Sequence, residues 1–317
     1  MSADLVELEP VMCPLCGAND TAPEAQGPDY EHRSGGAQEF HLVRCRRCDA
    51  RYLNPRPTTA MLGRLYARDS YYSRTFHRQS NPVVRYAKRR RDASRMHALT
   101  RVSRAPLSSM RVLDVGAGDG GLLDGLRAAG VPSSQLYGVE VDDAAAATLA
   151  ARGYQAFAAR AEDLEVGDLR FDLITMIQVI EHLAEPVRVL HHLATLLAPD
   201  GAIVLETPNL DSWERGFFAD RTWGGYHFPR HWTLWNRTTL MRTLEAAGLV
   251  PVSVTTTAGA ITWAWTINHL LQDAGWTRAA AAFSMQNPLA LAPLWALDLL
   301  PAALGRGGNL RVIARRR

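Results

Sequence analysis

Short apolar runs alternate with helix-like segments through the middle of the chain. The runs predict strands at residues 111–115, 136–141, 155–158, 171–177 and 202–207. Apolar residues at helical spacing predict helices at residues 121–129, 144–152, 186–197 and 238–247. Two alternating segments, 249–257 and 309–315, predict strands at a sheet edge. Because strands that alternate with helices usually form a parallel sheet covered on both faces, the sequence predicts an α/β fold with a doubly wound sheet.

All the cysteines lie near the start of the chain, in two C-x-x-C pairs. The pairs are Cys13 with Cys16 and Cys45 with Cys48, and 28 residues that we expect to form a hairpin or loop separate them. Four thiolates complete the tetrahedral shell of a structural zinc ion. A thioredoxin-like redox pair would begin a helix after a strand, and neither pair lies in such a place. We therefore predict a zinc-ribbon-like module over residues 1–57, with Zn²⁺ bound by these cysteines.

The charge is uneven along the chain although its net value is only +3. Between Arg74 and Arg104 there are ten Lys or Arg residues and one Asp. This stretch belongs to a predicted basic helical linker over residues 58–105. The linker is interpreted as a solvated helix face, and the alternative is a surface for an anionic acceptor, RNA or lipid headgroups. No secretory signal opens the chain, because residues 1–10 are acidic, so we expect a cytoplasmic protein.

The C-terminal residues 258–317 are predicted to form a helical cap and the final strand at 309–315. An uncharged run over residues 279–297 contains Pro288 and Pro293, which argues against a helix that spans a membrane. We expect the run to cover an apolar pocket or to form a dimer surface, in a monomer or homodimer. Peripheral contact with a membrane is the alternative.

A glycine-rich turn follows the first strand of the predicted sheet. Its glycines are Gly116, Gly118, Gly120 and Gly121. With Glu140 at the end of the next strand, they also match a dinucleotide fingerprint, so the glycines leave NAD open. However, Asp114 and Asp119 would repel a pyrophosphate at this helix N-terminus. The cationic sulfonium and ammonium groups of S-adenosylmethionine (SAM) would be attracted, so the turn favours SAM.

Five segments in order resemble class I SAM-dependent methyltransferases. They are residues 113–120, 138–142, 161–164, 171–183 and 205–209. The resemblance implies a Rossmann-like core over residues 106–257, with an antiparallel last strand in its sheet. It also implies which residues bind SAM. These are Asp114, Gly116, Ala117, Gly118, Gly120, Glu140, Val141, Glu162, Asp163, Gln178, Val179 and His182.

Residues 223–235 combine two His, one Arg, one Tyr and three Trp after the fifth predicted strand. With the zinc module and the core, this loop resembles the zinc-containing sugar C-methyltransferases and the methyltransferase-23-like families. The former carry Tyr-His-Glu-His here, whereas this chain has Phe-Pro-Arg-His, so that only His231 matches and Arg230 replaces the Glu. We expect His231 to act as base or substrate contact, with His227 second and a structural loop histidine as the alternative. Tyr226 and Glu181 complete the predicted catalytic set.

Together these patterns predict a SAM-dependent methyltransferase whose acceptor is a small molecule, either a nucleotide-linked sugar or a secondary metabolite. A histidine would assist removal of the acceptor's proton. One alternative is an RNA methyltransferase that uses the zinc ribbon and the basic helix. Nucleic acid is not the expected partner, because the fourth strand ends in Ile-Gln-Val-Ile rather than Asn-Pro-Pro-Tyr. The other alternative is a SAM-binding scaffold without catalysis.

Overall fold

The computed structural model describes residues 5–66, 99, 102, 105–285 and 287–317. The chain divides into two compact units. The first comprises the described residues of Met1–Arg68, Thr207–Met241 and Thr255–Leu310. The second comprises those of Asp69–Glu206, Arg242–Val254 and Arg311–Arg317. The predicted boundaries at residues 57, 105 and 257 stay predictions, and the basic stretch 74–104 lies outside the described residues except for Leu99 and Val102.

The described strands are β1 (Leu8–Glu9), β2 (Thr21–Pro28), β3 (Glu39–Cys45), β4 (Arg51–Leu53), β5 (Arg56–Pro57), β6 (Val112–Val115), β7 (Leu136–Glu140), β8 (Gln155–Ala158), β9 (Phe171–Ile177), β10 (Leu197–Pro208), β11 (Thr233–Leu234), β12 (Leu249–Thr257) and β13 (Asn309–Arg316). The described α-helices are α1 (Leu62–Tyr66), α2 (Gly121–Ala128), α3 (Asp143–Ala151), α4 (Pro186–Thr195), α5 (Trp213–Phe217), α6 (Arg237–Ala246), α7 (Ala260–Asp273), α8 (Thr277–Ala280) and α9 (Pro288–Ala303). From β6 to β12 strands alternate with α-helices, as predicted, except that only a 3₁₀ turn separates β8 from β9.

The first unit is built on a small antiparallel sheet with the strand order β11-β4-β3-β2. The predicted hairpin between the cysteine pairs is β2 and β3, which pair antiparallel. Its core contains Phe40 and Leu42 on β3 and Leu53 on β4, all at most 1% exposed. The short strand β11, from the segment that contains the loop histidines, pairs with β4. The ribbon and that loop therefore form one sheet, although more than 170 residues separate β4 from β11.

Helices α7 and α9 complete the first unit, and several of their buried residues are polar. The carboxylate of Asp298 on α9 is buried and accepts the backbone N–H groups of Gly259 and Gly308, at 2.7 and 2.8 Å. Leu289, Leu297 and Leu300 of the same helix are more than half exposed. Among the described residues, no helix has both the length and the apolar character needed to cross a bilayer.

The second unit contains most of a seven-stranded sheet in the order β12-β13-β10-β9-β6-β7-β8. Strands β10, β9, β6, β7 and β8 are parallel neighbours, and one end of the sheet is antiparallel. All four residues of β6 are buried, which is typical of a strand covered by helices on both faces. Strands β7 and β8 are added on one side of β6, and β9 and β10 on its other side, so that the order of strand addition switches at β6. In open α/β sheets such a switch point creates a crevice at the carboxyl ends of the strands.

Candidate functional site

The glycine turn lies at the carboxyl end of β6, as predicted. Gly116, Gly118 and Gly120 have φ angles of 73°, 56° and 74°, a region that side chains disfavour. The amides of Gly116 and Ala117 both donate to the carbonyl of Val139, at 2.9 and 3.1 Å. A Cβ atom on Gly116 would lie 2.5 Å from Val179 Cγ2. Residue 116 therefore has to be glycine, because Val179 occupies the space that a side chain would need.

Carboxylates surround this turn. Glu140, at the end of β7, accepts a hydrogen bond from the amide of Gly118. Asp114 is buried within β6 and accepts one from the Thr175 hydroxyl at 2.7 Å. Asp119 accepts the amide of Gly121 at 2.9 Å, at the first residue of α2. A pyrophosphate would need that helix N-terminus, which already carries a carboxylate. The turn therefore suits a ligand that is cationic and rich in hydroxyl groups.

The predicted adenine-side residues lie on a 3₁₀ turn, Ala161–Asp163. Glu162 pairs with Arg160 at 3.3 Å and accepts the amide of Ala184 at 3.2 Å. Asp163 is exposed. Val141, after β7, is also exposed, at 66%. The contacts of Glu162 hold the 3₁₀ turn against the segment that follows β9.

The segment after β9 begins with Gln178, whose φ is 57° and whose amide donates to the carbonyl of Glu206 at 2.7 Å. Val179 packs against the glycine turn. Glu181 is fully buried. His182 lies at the end of a 3₁₀ turn, Ile180–His182, which the extended conformation of Leu183 stops. Helix α4 then begins at Pro186, as predicted.

The four cysteines converge in the first unit. Sγ of Cys13 lies 3.4 Å from that of Cys48, and Sγ of Cys16 lies 3.6 Å from that of Cys45. All four sulfur atoms lie within 4.8 Å of one another. These distances exceed a disulfide bond, and four thiolates about 2.3 Å from a zinc ion would lie about 3.8 Å apart. The arrangement fits a structural zinc ion with four protein ligands.

The histidine loop of the first unit is almost completely buried. Tyr226 donates its hydroxyl to the carbonyl of Ala219. His231 is 8% exposed, and its Nδ1 lies 2.8 Å from the carbonyl oxygen of Gly225. The rings of His227 and His231 lie side by side, with centroids 4.9 Å apart. His227 has a φ of 41°, and such a conformation in a non-glycine residue is typical of functional sites.

Sequence reasoning missed two acids that contact this loop, both from the turn after β2. Asp29 is fully buried and forms an ion pair with Arg230 at 3.2 Å. Burial acts to raise the pKa of Asp29, but Arg230 and the amides of His32 and Ser34 outweigh it, so the pKa is lowered. Arg230, which stands where the sugar C-methyltransferases that the loop resembles have Glu, thus has a buried counter-ion. An Arg in an otherwise apolar loop was the available signal, because a buried cation needs an acid elsewhere in the chain.

The second missed acid, Glu31, contacts His227. Glu31 Oε2 lies 2.6 Å from His227 Nδ1. Oε1 lies 4.0 Å from Nε2 of His269 on α7, beyond hydrogen-bond distance. The ring of His269 stacks on that of Tyr30 at 4.4 Å. The first unit therefore contains a buried carboxylate–histidine pair with a second histidine nearby.

Comparison with known proteins identifies the family. Residues 86–254, more than half of the chain, match the methyltransferase domain model of the methyltransferase-23 family. The ubiquinone biosynthesis O-methyltransferase of Caulobacter sp. strain K31 is 33% identical over 111 residues, which are 33% of this chain and 44% of that protein. The enzyme of the same name from Alkalilimnicola ehrlichii is 32% identical over 110 residues, or 32% and 43%. The match therefore spans less than half of the curated relatives.

Among solved structures, one similar chain comes from the complex between the Haloferax volcanii Trm112 methyltransferase activator and its methyltransferase. The TM-score is 0.50 at 16% identity, over 74% of this chain and 94% of the other. At this identity the similarity concerns the fold alone, and it agrees with the Rossmann-like sheet described above.

Proposed function

This chain belongs to the methyltransferase domain family, and from that premise we propose that it transfers a methyl group from SAM to a small-molecule acceptor. The observation that carries the proposal is Glu140, which accepts the Gly118 amide at the carboxyl end of the sheet. A carboxylate there can accept hydrogen bonds from ribose hydroxyls. Positive φ angles let Gly116, Gly118 and Gly120 form the tight turn between β6 and α2 on which the ligand would lie, with Val179 packed against Gly116.

When bound, SAM supplies a methyl group activated by the sulfonium. The chain's part is to orient the acceptor and to remove its proton, as the new bond to the methyl carbon forms and the carbon–sulfur bond breaks. A histidine of the loop, His231 or His227, serves as the base. The acceptor is a hydroxyl-bearing metabolite or a nucleotide-linked sugar. The O-methyltransferase names of the curated relatives support the hydroxyl class.

The cysteine cluster is proposed to bind one zinc ion, held by Cys13, Cys16, Cys45 and Cys48. With four protein ligands, the ion would cross-link the two knuckles and stabilise the fold. A tight turn follows each C-x-x-C pair, since Gly17 after Cys16 and Asp49 after Cys48 have φ angles of 68° and 67°. The four-cysteine shell is complete, which supports a structural role.

Calorimetry with SAM and with NAD tests the cofactor assignment, and we expect SAM alone to bind. Methyl-deuterated SAM is then incubated with catechols and with nucleoside-diphosphate sugars, and mass spectrometry follows the label into one class. His227→Ala and His231→Ala should show which histidine is the base, with a loss of about 100-fold or more in turnover and unchanged SAM affinity. His191→Ala, at an exposed position of α4, is the control. Binding of NAD without SAM would overturn the proposal.

A further inference from the structure

A buried carboxylate directs one of the two loop histidines. Glu31 lies in the turn between β2 and β3, its side chain is 5% exposed, and Oε2 lies 2.6 Å from Nδ1 of His227. We propose that Glu31 is a positioning residue, which holds the Nδ1–H of His227 and leaves Nε2 to accept the acceptor's proton. This inference rests on the proposed function and deepens it, because it selects the base.

The backbone on both sides of the contact is fixed by a single ion pair. Asp29 accepts the amides of His32 and Ser34 at 2.9 and 3.0 Å, so the turn that contains Glu31 is closed by its own hydrogen bonds. Arg230 pairs with Asp29, and its amide donates to the carbonyl of His227 at 2.8 Å. The pair therefore joins the two segments that carry Glu31 and His227, and it holds carboxylate and imidazole in one geometry.

The partner on Nδ1 determines which nitrogen can act as a base. An ionised carboxylate only accepts hydrogen bonds, so Nδ1 of His227 carries the proton when Glu31 is charged. In the neutral imidazole the lone pair is then on Nε2. Catalytic histidines held by a buried carboxylate use this tautomer and gain stabilisation of the imidazolium that forms.

His231 has a weaker partner for the same task. Its Nδ1 lies 2.8 Å from the carbonyl oxygen of Gly225, which also selects the tautomer with the lone pair on Nε2. A neutral carbonyl, however, stabilises an imidazolium less than a carboxylate does, because charge-assisted hydrogen bonds are about twice as strong as neutral ones. The contact with Glu31 therefore favours His227 as the base, with the His231 ring beside it.

The groups that face Glu31 determine how the pair titrates. They are Asp29 and His32 from the same turn, His227 and Arg230 from the loop, and His269 from α7. Burial raises the pKa of Glu31 to about 7, while His269 and Arg230 act in the opposite direction. Burial also lowers the pKa of His269, so the charge that this ring places beside Glu31 is lost at a lower pH than that of a free imidazole. Glu31 therefore changes its charge near neutral pH while it contacts His227.

Nuclear magnetic resonance of the imidazole nitrogens tests the inference without an acceptor. The ten histidines are labelled in the full-length protein, and His227→Gln identifies the signals of His227. In the wild type we expect a protonated Nδ1 and an unprotonated Nε2 above the titration midpoint. In Glu31→Gln the amide oxygen can still accept the Nδ1–H, but the negative charge is lost. The midpoint of His227 should then fall by about one pH unit or more.

Glu39→Gln is the matched control, since it removes one acid from the same hairpin. Glu39 is 37% exposed and pairs with Arg221 at 3.7 Å, so the His227 midpoint should not move. A His227 with its proton on Nε2 in the wild type overturns the inference, and so does an equal midpoint in Glu31→Gln and Glu39→Gln. The wild-type tautomer decides the matter even if Glu31→Gln does not fold. Failure of SAM binding, by contrast, rejects only the proposed function.

Kinetics extend the same test once an acceptor is methylated. Glu31→Gln should lower kcat by about 10- to 100-fold, change KM by less than about threefold, and move the acid limb of the rate profile to lower pH. A purely structural role would lower the rate without moving that limb, which would count against the inference.

Discussion

The glycine turn and the buried histidine cluster differ in how far apart in sequence their interacting residues lie. In the turn, the contacts of Asp119, Glu140 and Asp114 join residues 2, 22 and 61 positions apart, and backbone amides are the donors in two of the three. In the histidine cluster, formed by Asp29, Glu31, His227, Arg230 and His231, the Arg230 side chain contacts Asp29 and Ser34 over separations of 201 and 196 residues. Local backbone geometry can be anticipated from motifs, whereas the partners of a buried charge depend on tertiary structure.

Loss of the zinc ion should have the largest effect on stability. It concerns the first unit, which also contains the histidine cluster. Cys45→Ser removes a buried ligand, and structural zinc sites contribute about 10–16 kcal/mol in small metal-dependent modules. We expect about one zinc per chain in the wild type by elemental analysis, a strong loss of zinc in the variant, and a large fall in Tm. Met12→Ser, at an exposed neighbouring residue, should retain both. A zinc-free wild type with unchanged Tm would contradict the metal assignment.

The next effect concerns the buried ion pair. Arg230→Met leaves Asp29 buried without its counter-ion, and the free energy of unfolding should fall by about 3–5 kcal/mol. Adding Asp29→Asn should restore part of the loss, which urea unfolding of the single and double variants measures. SAM affinity should stay within about threefold of the wild type if the Asp29–Arg230 pair does not contribute to binding at the glycine turn.

Arg188→Met is the control for this measurement, because it removes an exposed ion pair instead of a buried one. Arg188 pairs with Glu185 on an exposed surface, where removal of an ion pair costs at most about 1 kcal/mol. An equal loss of unfolding free energy in Arg188→Met and Arg230→Met would show that burial does not increase the contribution of the Asp29–Arg230 pair to stability.

The smallest change in stability is expected in the glycine turn, where the readout is binding. Gly116→Ala and Gly153→Ala both place a side chain at positive φ, at a cost of about 1–2 kcal/mol each. Only at Gly116 would the new Cβ meet a neighbour, Val179, because nothing lies within 4 Å at Gly153. SAM affinity by calorimetry should fall by about tenfold or more in Gly116→Ala and stay unchanged in Gly153→Ala. Equal affinities would remove the turn from the cofactor site.

Much of the sheet was predictable because its strands are continuous apolar or alternating runs. The strands at residues 155–158, 171–177 and 249–257 have the predicted bounds. Strand β10 begins at Leu197 rather than at 202, since a register shift between Leu197 and Ala202 interrupts the pairing with β9. Pro199, Asp200 and Gly201 lie in that interval, and turn-forming residues conceal a strand that continues through a bulge.

The candidate site was predictable only in part. The cysteines and the glycine turn follow spacing rules, and the structure brings each set together. Glu31 and Asp29 follow no such rule. They lie in a short turn without a sequence pattern, and their partners are about 200 residues away, so the sequence alone does not predict these contacts. Tyr226, a predicted catalytic residue, is buried with its hydroxyl on a backbone carbonyl. Its chemistry stays a prediction.

The pair of Asp29 and Arg230 has a consequence for how related chains diverge. The two residues stand 201 positions apart and share one buried contact, so a change at either selects for a change at the other. Relatives with Arg at position 230 should keep an acid at position 29. Those with Glu at position 230 should have lost it, because two buried carboxylates would repel each other. Covariation between these two alignment columns would therefore divide the family into two lineages.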